Sequence, residues 1–213
     1  AGMGTFPVKA NYYQQFDADY NLDVPGEGMG GWRSAEINLS TEHTAVVVMH
    51  AWDMGTRERF PGWHRCVEYI PRAEAICRDV FPGLLAAVRR SPLPLIHVVD
   101  GRGYYRSLDG WKKTVELAGR SPVTKYVRSD PALDELRRFK RDHVFVGGRN
   151  HADVERGQRE TGFAPQAVPL DGELVAANTH QLFALCRELD VNHLIYTGFA
   201  INACLYQSPG GMV

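Results

Sequence analysis

Four short apolar runs punctuate the chain, within TAVVVMHAWD (44–53), PLPLIHVVD (92–100), GELVAAN (172–178) and HLIYTG (193–198). Each is too short for a helix and is bounded by polar or turn residues. That pattern suits strands buried on both faces, as in a parallel sheet. Between the first two, Ala73, Cys77, Val80, Leu84, Leu85 and Val88 recur at helical spacing. Pro71 is placed to open that helix, and Pro82 to kink or split it. Between the last two, THQLFALCREL carries a second stripe of Leu182, Leu185, Cys186 and Leu189. Asn178 is its expected cap, with Gln181 three residues on as in a capping box. Ala203–Gln207 reads as the start of a further helix. Strand and helix in alternation predict an α/β fold, an open parallel sheet with right-handed crossovers and helices on both faces.

Two stretches fall outside this rhythm. Residues 1–43 have little periodicity, several aromatics and the turn-rich PGEGMGG. They read as an N-terminal arm, wrapped over the domain of residues 44–213 or reaching a neighbouring subunit. Residues 101–160 read as an insertion after the second strand, over one end of the sheet. Within it DPALDELRRF suggests a helix and HVFVGG a short strand.

Composition narrows the class. The 213 residues are enough for one large domain, and 44% hydrophobic with 23% charged residues is ordinary for a globular chain. A net charge of −1 gives no reason to expect nucleic acid or an anionic membrane as partner. No apolar run approaches bilayer length, and the first residues lack the apolar core of a secretory signal. The four cysteines form no CxxC pair, so they read as reduced thiols of a cytoplasmic protein. Cys77 and Cys186 lie on the helical stripes and are expected to pack; Cys66 is undecided.

Cys204 is different. It follows HLIYTG at the start of a helix, within Gly198-x-Ala200-x-Asn202-x-Cys204. In an open parallel sheet, ligands bind beyond the carboxyl ends of the strands. Unpaired N–H groups there favour a thiolate and can hold the oxyanion of a tetrahedral intermediate. The alternative is a buried, inert thiol.

TGFAINAC after LIYTG resembles the nucleophile segment of the isochorismatase-like cysteine hydrolases, which include nicotinamidases, N-carbamoylsarcosine amidases and ureidoacrylate amidohydrolases. The likeness extends over TAVVVMHAWD, PLPLIHVVD, ELVAANTHQLFALCREL and HLIYTGFAINAC, most of residues 44–213. It implies a three-layer sheet, Cys204 as nucleophile, a cis peptide at Phe199–Ala200, and an oxyanion hole of the Ala200 and Cys204 N–H groups. Two family features are displaced. Where the family has an aspartate at the end of the first strand, this chain has His50, with Asp53 three residues on. The family lysine has no counterpart, since no lysine follows Lys140. A Cys–His pair is chemically sound, so His50 is the expected base and Asp53 its orienter.

Trp52, His97, Asp100, Tyr104, Tyr105, His180, Phe199 and Asn202 are the expected pocket residues. Arg102, Arg106, Arg149, Arg156 and Arg159 could meet a carboxylate. No metal and no cofactor is expected. The resemblance also implies strands beyond Cys204. A C-terminal segment or companion chain completing the sheet is therefore expected, as is a homo-oligomer, with the polypeptide a fragment or one part of a nicked or split protein. The expected function is hydrolysis of an amide or related C–N bond of a small molecule through a thioester. A catalytically silent ligand-binding or assembly subunit is the first alternative, and a vinyl-ether hydrolase of the isochorismatase type the second.

Overall fold

Parallel pairing builds the sheet outward from TAVVVM. The fold was taken from a computed structural model that describes residues 4–14, 19–28, 30–100, 102–123 and 125–213. In chain order the elements begin with β1 (Thr5–Tyr13), β2 (Trp32–Ser40), β3 (Thr44–Met49), β4 (Trp52–Asp53), α1 (Pro61–Cys66), α2 (Ile70–Asp79), α3 (Phe81–Arg90) and β5 (Leu95–Val98). They continue with α4 (Asp109–Ala118), α5 (Pro131–His143), α6 (Gly148–Glu160), β6 (Gly162–Phe163), β7 (Leu174–Ala176), α7 (Thr179–Glu188), β8 (His193–Gly198) and α8 (Cys204–Gln207).

The main sheet has four strands in the order β7-β5-β3-β8, all parallel. Every residue of β3 is buried, which is why that run needs no polar face. Strand alternation sends Ala45, Val47 and Met49 to one side, where they meet Leu182 and Leu185 of α7 and Leu205 of α8. Val46 and Val48 point to the other side, against Cys77 of α2 and Phe81, Leu85 and Val88 of α3. Helices thus cover both faces, and the chain is α/β with a parallel sheet.

The helix breaks follow local chemistry. Pro82 splits the expected single helix into α2 and α3, seated in the first turn of α3 where its missing N–H has no bond to lose. Asn178 caps α7, its side chain accepting from the Gln181 N–H at 2.9 Å. Gln181 then accepts from Ala177 N–H at 2.8 Å rather than from the cap residue itself.

One expectation is corrected. HVFVGG is not a strand: His143 ends α5, and Gly147 N–H bonds back to Val144 carbonyl in a tight turn before α6. Among the described residues no strand pairs with it, and Val144 and Phe145 are exposed. The described part of the arm is a hairpin. β1 and β2 pair with each other in antiparallel register, from Thr5 opposite Ser40 to Tyr13 opposite Trp32, and most of their side chains are exposed. The parts of the arm at residues 1–3, 15–18 and 29 lie outside the described residues.

The inserted segment carries α4, α5 and α6, and then returns to the sheet end. There β6 pairs antiparallel with β4, Trp52 opposite Phe163 and Asp53 opposite Gly162. Ala164 N–H donates to Ala51 carbonyl and Thr161 Oγ1 to Asp53 carbonyl. The loop after β3 is thereby fastened on the outside.

Candidate active site

The chain runs from β3 to β5 to β7 on one side of the sheet and returns with β8 on the other. The order therefore reverses at β3, and the crevice beyond the ends of β3 and β8 is where an open α/β sheet binds its ligand. Met49 and Gly198 are the last paired residues there, so His50 and Phe199 leave the sheet side by side. Gly198 is required at this point. Its φ is +125°, and a Cβ would run into the Met49 carbonyl.

His50 is buried, with a left-handed φ of 51° that a non-glycine residue rarely adopts. Such a conformation costs on the order of 1–3 kcal/mol. The buried aliphatic side chains of β3, at about 1.5–3 kcal/mol each, readily hold it. The left-handed turn lays the imidazole on the Trp52 indole, centroids 4.6 Å apart and planes 14° from parallel. Its Nδ1 is buried and has no partner among the described residues. Burial, and then the neighbouring Arg102 guanidinium, push the His50 pKa down to about 4. The ring is therefore neutral near pH 7.

Arg102 lies over the same indole, its guanidinium carbon 4.6 Å from the ring centroid. Its Nε donates to Asp100 at 2.7 Å, while Nη1 is buried without a partner among the described residues. Burial raises the Asp100 pKa against the pull of Arg102. Trp52 Nε1 donates to the Tyr104 hydroxyl at 3.0 Å. Burial holds the Tyr104 phenol well above its usual range, so the hydroxyl stays neutral. His50, Trp52, Arg102, Asp100 and Tyr104 form one connected column at the sheet end.

Cys204 is the first residue of α8, partly buried, and packs on the cluster containing Met49, Val98 and Ala176. α8 is a single turn, which gives it little macrodipole. What it does offer is free backbone donors. Neither the Ala200 N–H nor the Cys204 N–H has a hydrogen-bond partner among the described residues, although Ala203 and Leu205 N–H groups both bond to Ala200 carbonyl. The Phe199–Ala200 peptide is cis. Among the described residues, no hydrogen bond joins the thiol to His50.

The other thiols sort cleanly. Cys77 is buried, and burial pushes its pKa up to about 11. Burial likewise raises the Cys186 and Cys66 thiols, and Cys66 is tied to Trp63 carbonyl within α1.

Several expected pocket residues do other work. Asp53 does not orient His50. Its exposed carboxylate accepts from Gly55 N–H at 2.9 Å, because strand alternation in β4 puts it opposite Trp52. His97 is buried on the α3 side of the sheet, where its Nε2 meets Glu173 at 2.8 Å. Glu173 also takes Arg89 at 2.6 Å. Burial opposes the Glu173 charge, but the hydrogen bonds from His97 and Arg89 outweigh it and hold the pKa at about 2. His180 bonds to Ala118 carbonyl at 2.9 Å, docking α7 to α4. Tyr105 is buried against Trp111. Phe199 packs edge-on to Phe81, which seats the turn after β8 on α3. Asn202 is exposed.

Two residues at this end escaped the sequence reading. Arg102 stood among five arginines with no reason to prefer it; the signal was an Asp-x-Arg placed directly after a strand. Tyr69, just before α2, carries no signal in the sequence. Burial raises its pKa first, and the Cys204 sulfur adds to that.

Compared with protein-family models, curated proteins and solved structures, this chain matches none.

Proposed function

We propose that this chain is a cysteine hydrolase of the isochorismatase-like type, acting on an amide or related C–N bond of a small molecule. One observation carries the reading: at the switch point of the sheet, a partly exposed thiol stands beside two backbone N–H groups that have no partner. Donors left free next to a nucleophile suit a developing oxyanion, which would take bonds from Ala200 and Cys204. Cys204 Sγ attacks the carbonyl carbon and its proton passes to His50. The tetrahedral adduct collapses, the C–N bond breaks, and the leaving nitrogen takes that proton. Water then attacks the thioester, the acid departs, and the thiol is restored.

A second reading has specific support. The neutral His50 ring and the missing thiol–imidazole hydrogen bond favour a catalytically silent relative that binds a ligand. A panel of small amides, carbamoyl compounds and ureides separates the two. The hydrolase reading expects turnover of at least one compound and complete loss of it in Cys204→Ala, with thermal stability nearly unchanged. Hydrolysis that survives in Cys204→Ala would sink the nucleophile assignment, and binding without turnover in the wild type would favour the silent relative.

A further inference from the structure

α5 carries the local marks of a stable helix and buries none of its residues. The Asp130 carboxylate caps it, accepting from Leu133 N–H at 2.9 Å, Pro131 opens it, and Lys140, Arg141 and His143 lie in its last turn. None of its 13 residues is buried. A helix of that length draws most of its stability from packing an amphipathic face. Here the apolar stripe looks outward: Leu136 is 66% exposed and Phe139 60%, and exposed Val144 and Phe145 follow directly. We propose that this stripe is an interface between copies of the chain, α5 pairing in parallel with α5 of a second copy. Nothing in the pairing depends on the hydrolase reading.

The stripe has the spacing of a helix–helix seam. Ala132, Leu136, Phe139 and His143 stand four, three and four residues apart, the repeat of a coiled coil. They share one face, and the Phe139 and His143 rings lie 4.6 Å apart along it. The groove toward α6 is lined instead by Arg137, Lys140 and Arg141. The basic side of α5 therefore turns to the domain and leaves the apolar stripe exposed.

The charges beside the stripe select the occupant. Glu135 and Asp142 border it on one side, Leu133 and Lys140 on the other. Asp142 already pairs with Arg141, and Asp134 with Arg137. Glu135 and Lys140 are exposed, and their side chains make no ion pair or hydrogen bond among the described residues. In a parallel pair each Glu135 faces Lys140 of the second copy, five residues further along, so two opposite-charge pairs close across the seam. An antiparallel pair would set Glu135 against Asp142 of the second copy, like against like. A lipid surface fits less well. Helices that lie on anionic lipid carry Lys and Arg on their polar face, and here one border of the stripe is acidic. The seam is short, so the expected dimer is weak, with a Kd of about 1–100 μM.

Sedimentation velocity of the full chain from about 1 to 500 μM reads the pairing. The wild type is expected to pass from monomer to dimer over that range. Leu136→Glu is expected to stay monomeric with an unchanged unfolding midpoint, because the side chain is exposed. Glu135→Lys and Lys140→Glu are each expected to weaken the dimer about tenfold at low salt. The double variant, and an equimolar mixture of the two single variants, are expected to restore it, since both put opposite charges back across the seam. A wild type that stays monomeric overturns the proposal, as does a dimer that Leu136→Glu leaves intact. A dimer strengthened by Glu135→Lys overturns the parallel arrangement. A monomer that binds phosphatidylglycerol vesicles, and loses them in Leu136→Glu, overturns the second copy as occupant and assigns the stripe to lipid.

Discussion

His50 and His97 lie on or just beyond neighbouring strands of one sheet, both buried, and their surroundings are opposite. His97 sits inside β5 with regular backbone, its Nε2 satisfied by Glu173 and that carboxylate satisfied again by Arg89, although the His97 Nδ1, like that of His50, is buried without a partner among the described residues. His50 sits one step past the end of β3 with a left-handed φ, no partner on Nδ1 and an indole against its face. The carboxylate on Nε2 gives His97 one of the bonds a buried polar group needs to be tolerated in a core. His50 carries backbone strain and an unmet hydrogen bond where the strand order reverses, the place where such features point to ligand chemistry. Residue type and burial alone do not separate the two histidines; the partners do.

The contrast can be broken by experiment, most sharply at His50. His50→Gln is expected to lower turnover of any hydrolysed amide about 100-fold through loss of the proton acceptor, while His97→Gln changes turnover little. Equal losses in both variants would erase the distinction. The next effect is on stability. Glu173→Gln is expected to cost about 2–3 kcal/mol in denaturant unfolding, since it weakens the bonds to His97 and Arg89 at once; a loss below about 0.5 kcal/mol would mean that the network does not hold the fold.

Acidification separates the same two sites by pH window. The His50 pKa falls from an ordinary 6.5 to about 4 on folding, so the unfolded chain binds the extra proton. Stability is then full above about 6.5 and is lost as pH drops toward about 4, by about 3 kcal/mol. Glu173 falls from 4.5 to about 2, so its share is full above about 4.5 and is lost toward about 2, by about 1–2 kcal/mol after solvent screening. His50→Gln should flatten the upper limb and Glu173→Gln the lower, as read from unfolding midpoints at each pH. A single limb that both variants alter alike would contradict the separate assignments. The smallest effect belongs to Asp53→Asn, expected to leave turnover within about twofold and stability within about 0.5 kcal/mol, because that carboxylate serves only an exposed turn. A tenfold loss of turnover would restore Asp53 to the His50 ring.

Much of the frame was legible along the chain. β3, β5, β7 and β8 fall inside the four apolar runs, and Asn178 caps α7, because burial on both faces and local capping leave marks within a few residues. The split at Pro82 was legible as one of two outcomes. HVFVGG misled because its apolar letters sit in a turn with no strand beside them. β1 and β2 did leave a mark, Phe6, Val8 and Ala10 in one and Ala35, Ile37 and Leu39 in the other at every second position and paired in register, but on strands whose side chains are mostly exposed. At the candidate site Cys204 could be named from the small residues around it. Asp53 could not be judged, since its direction is set by β6, more than a hundred residues on.

The sequence by itself determined the four strands of the main sheet, the helices that follow them and where a thiol would meet the end of a strand, for these depend on near neighbours and on the period of burial. Only the tertiary structure decided which charges share that end of the sheet. Arg102 reaches the Trp52 ring, and Asp53 turns away, through contacts between residues far apart in the chain. Electrostatics and desolvation act through space, and no spacing along the sequence encodes them.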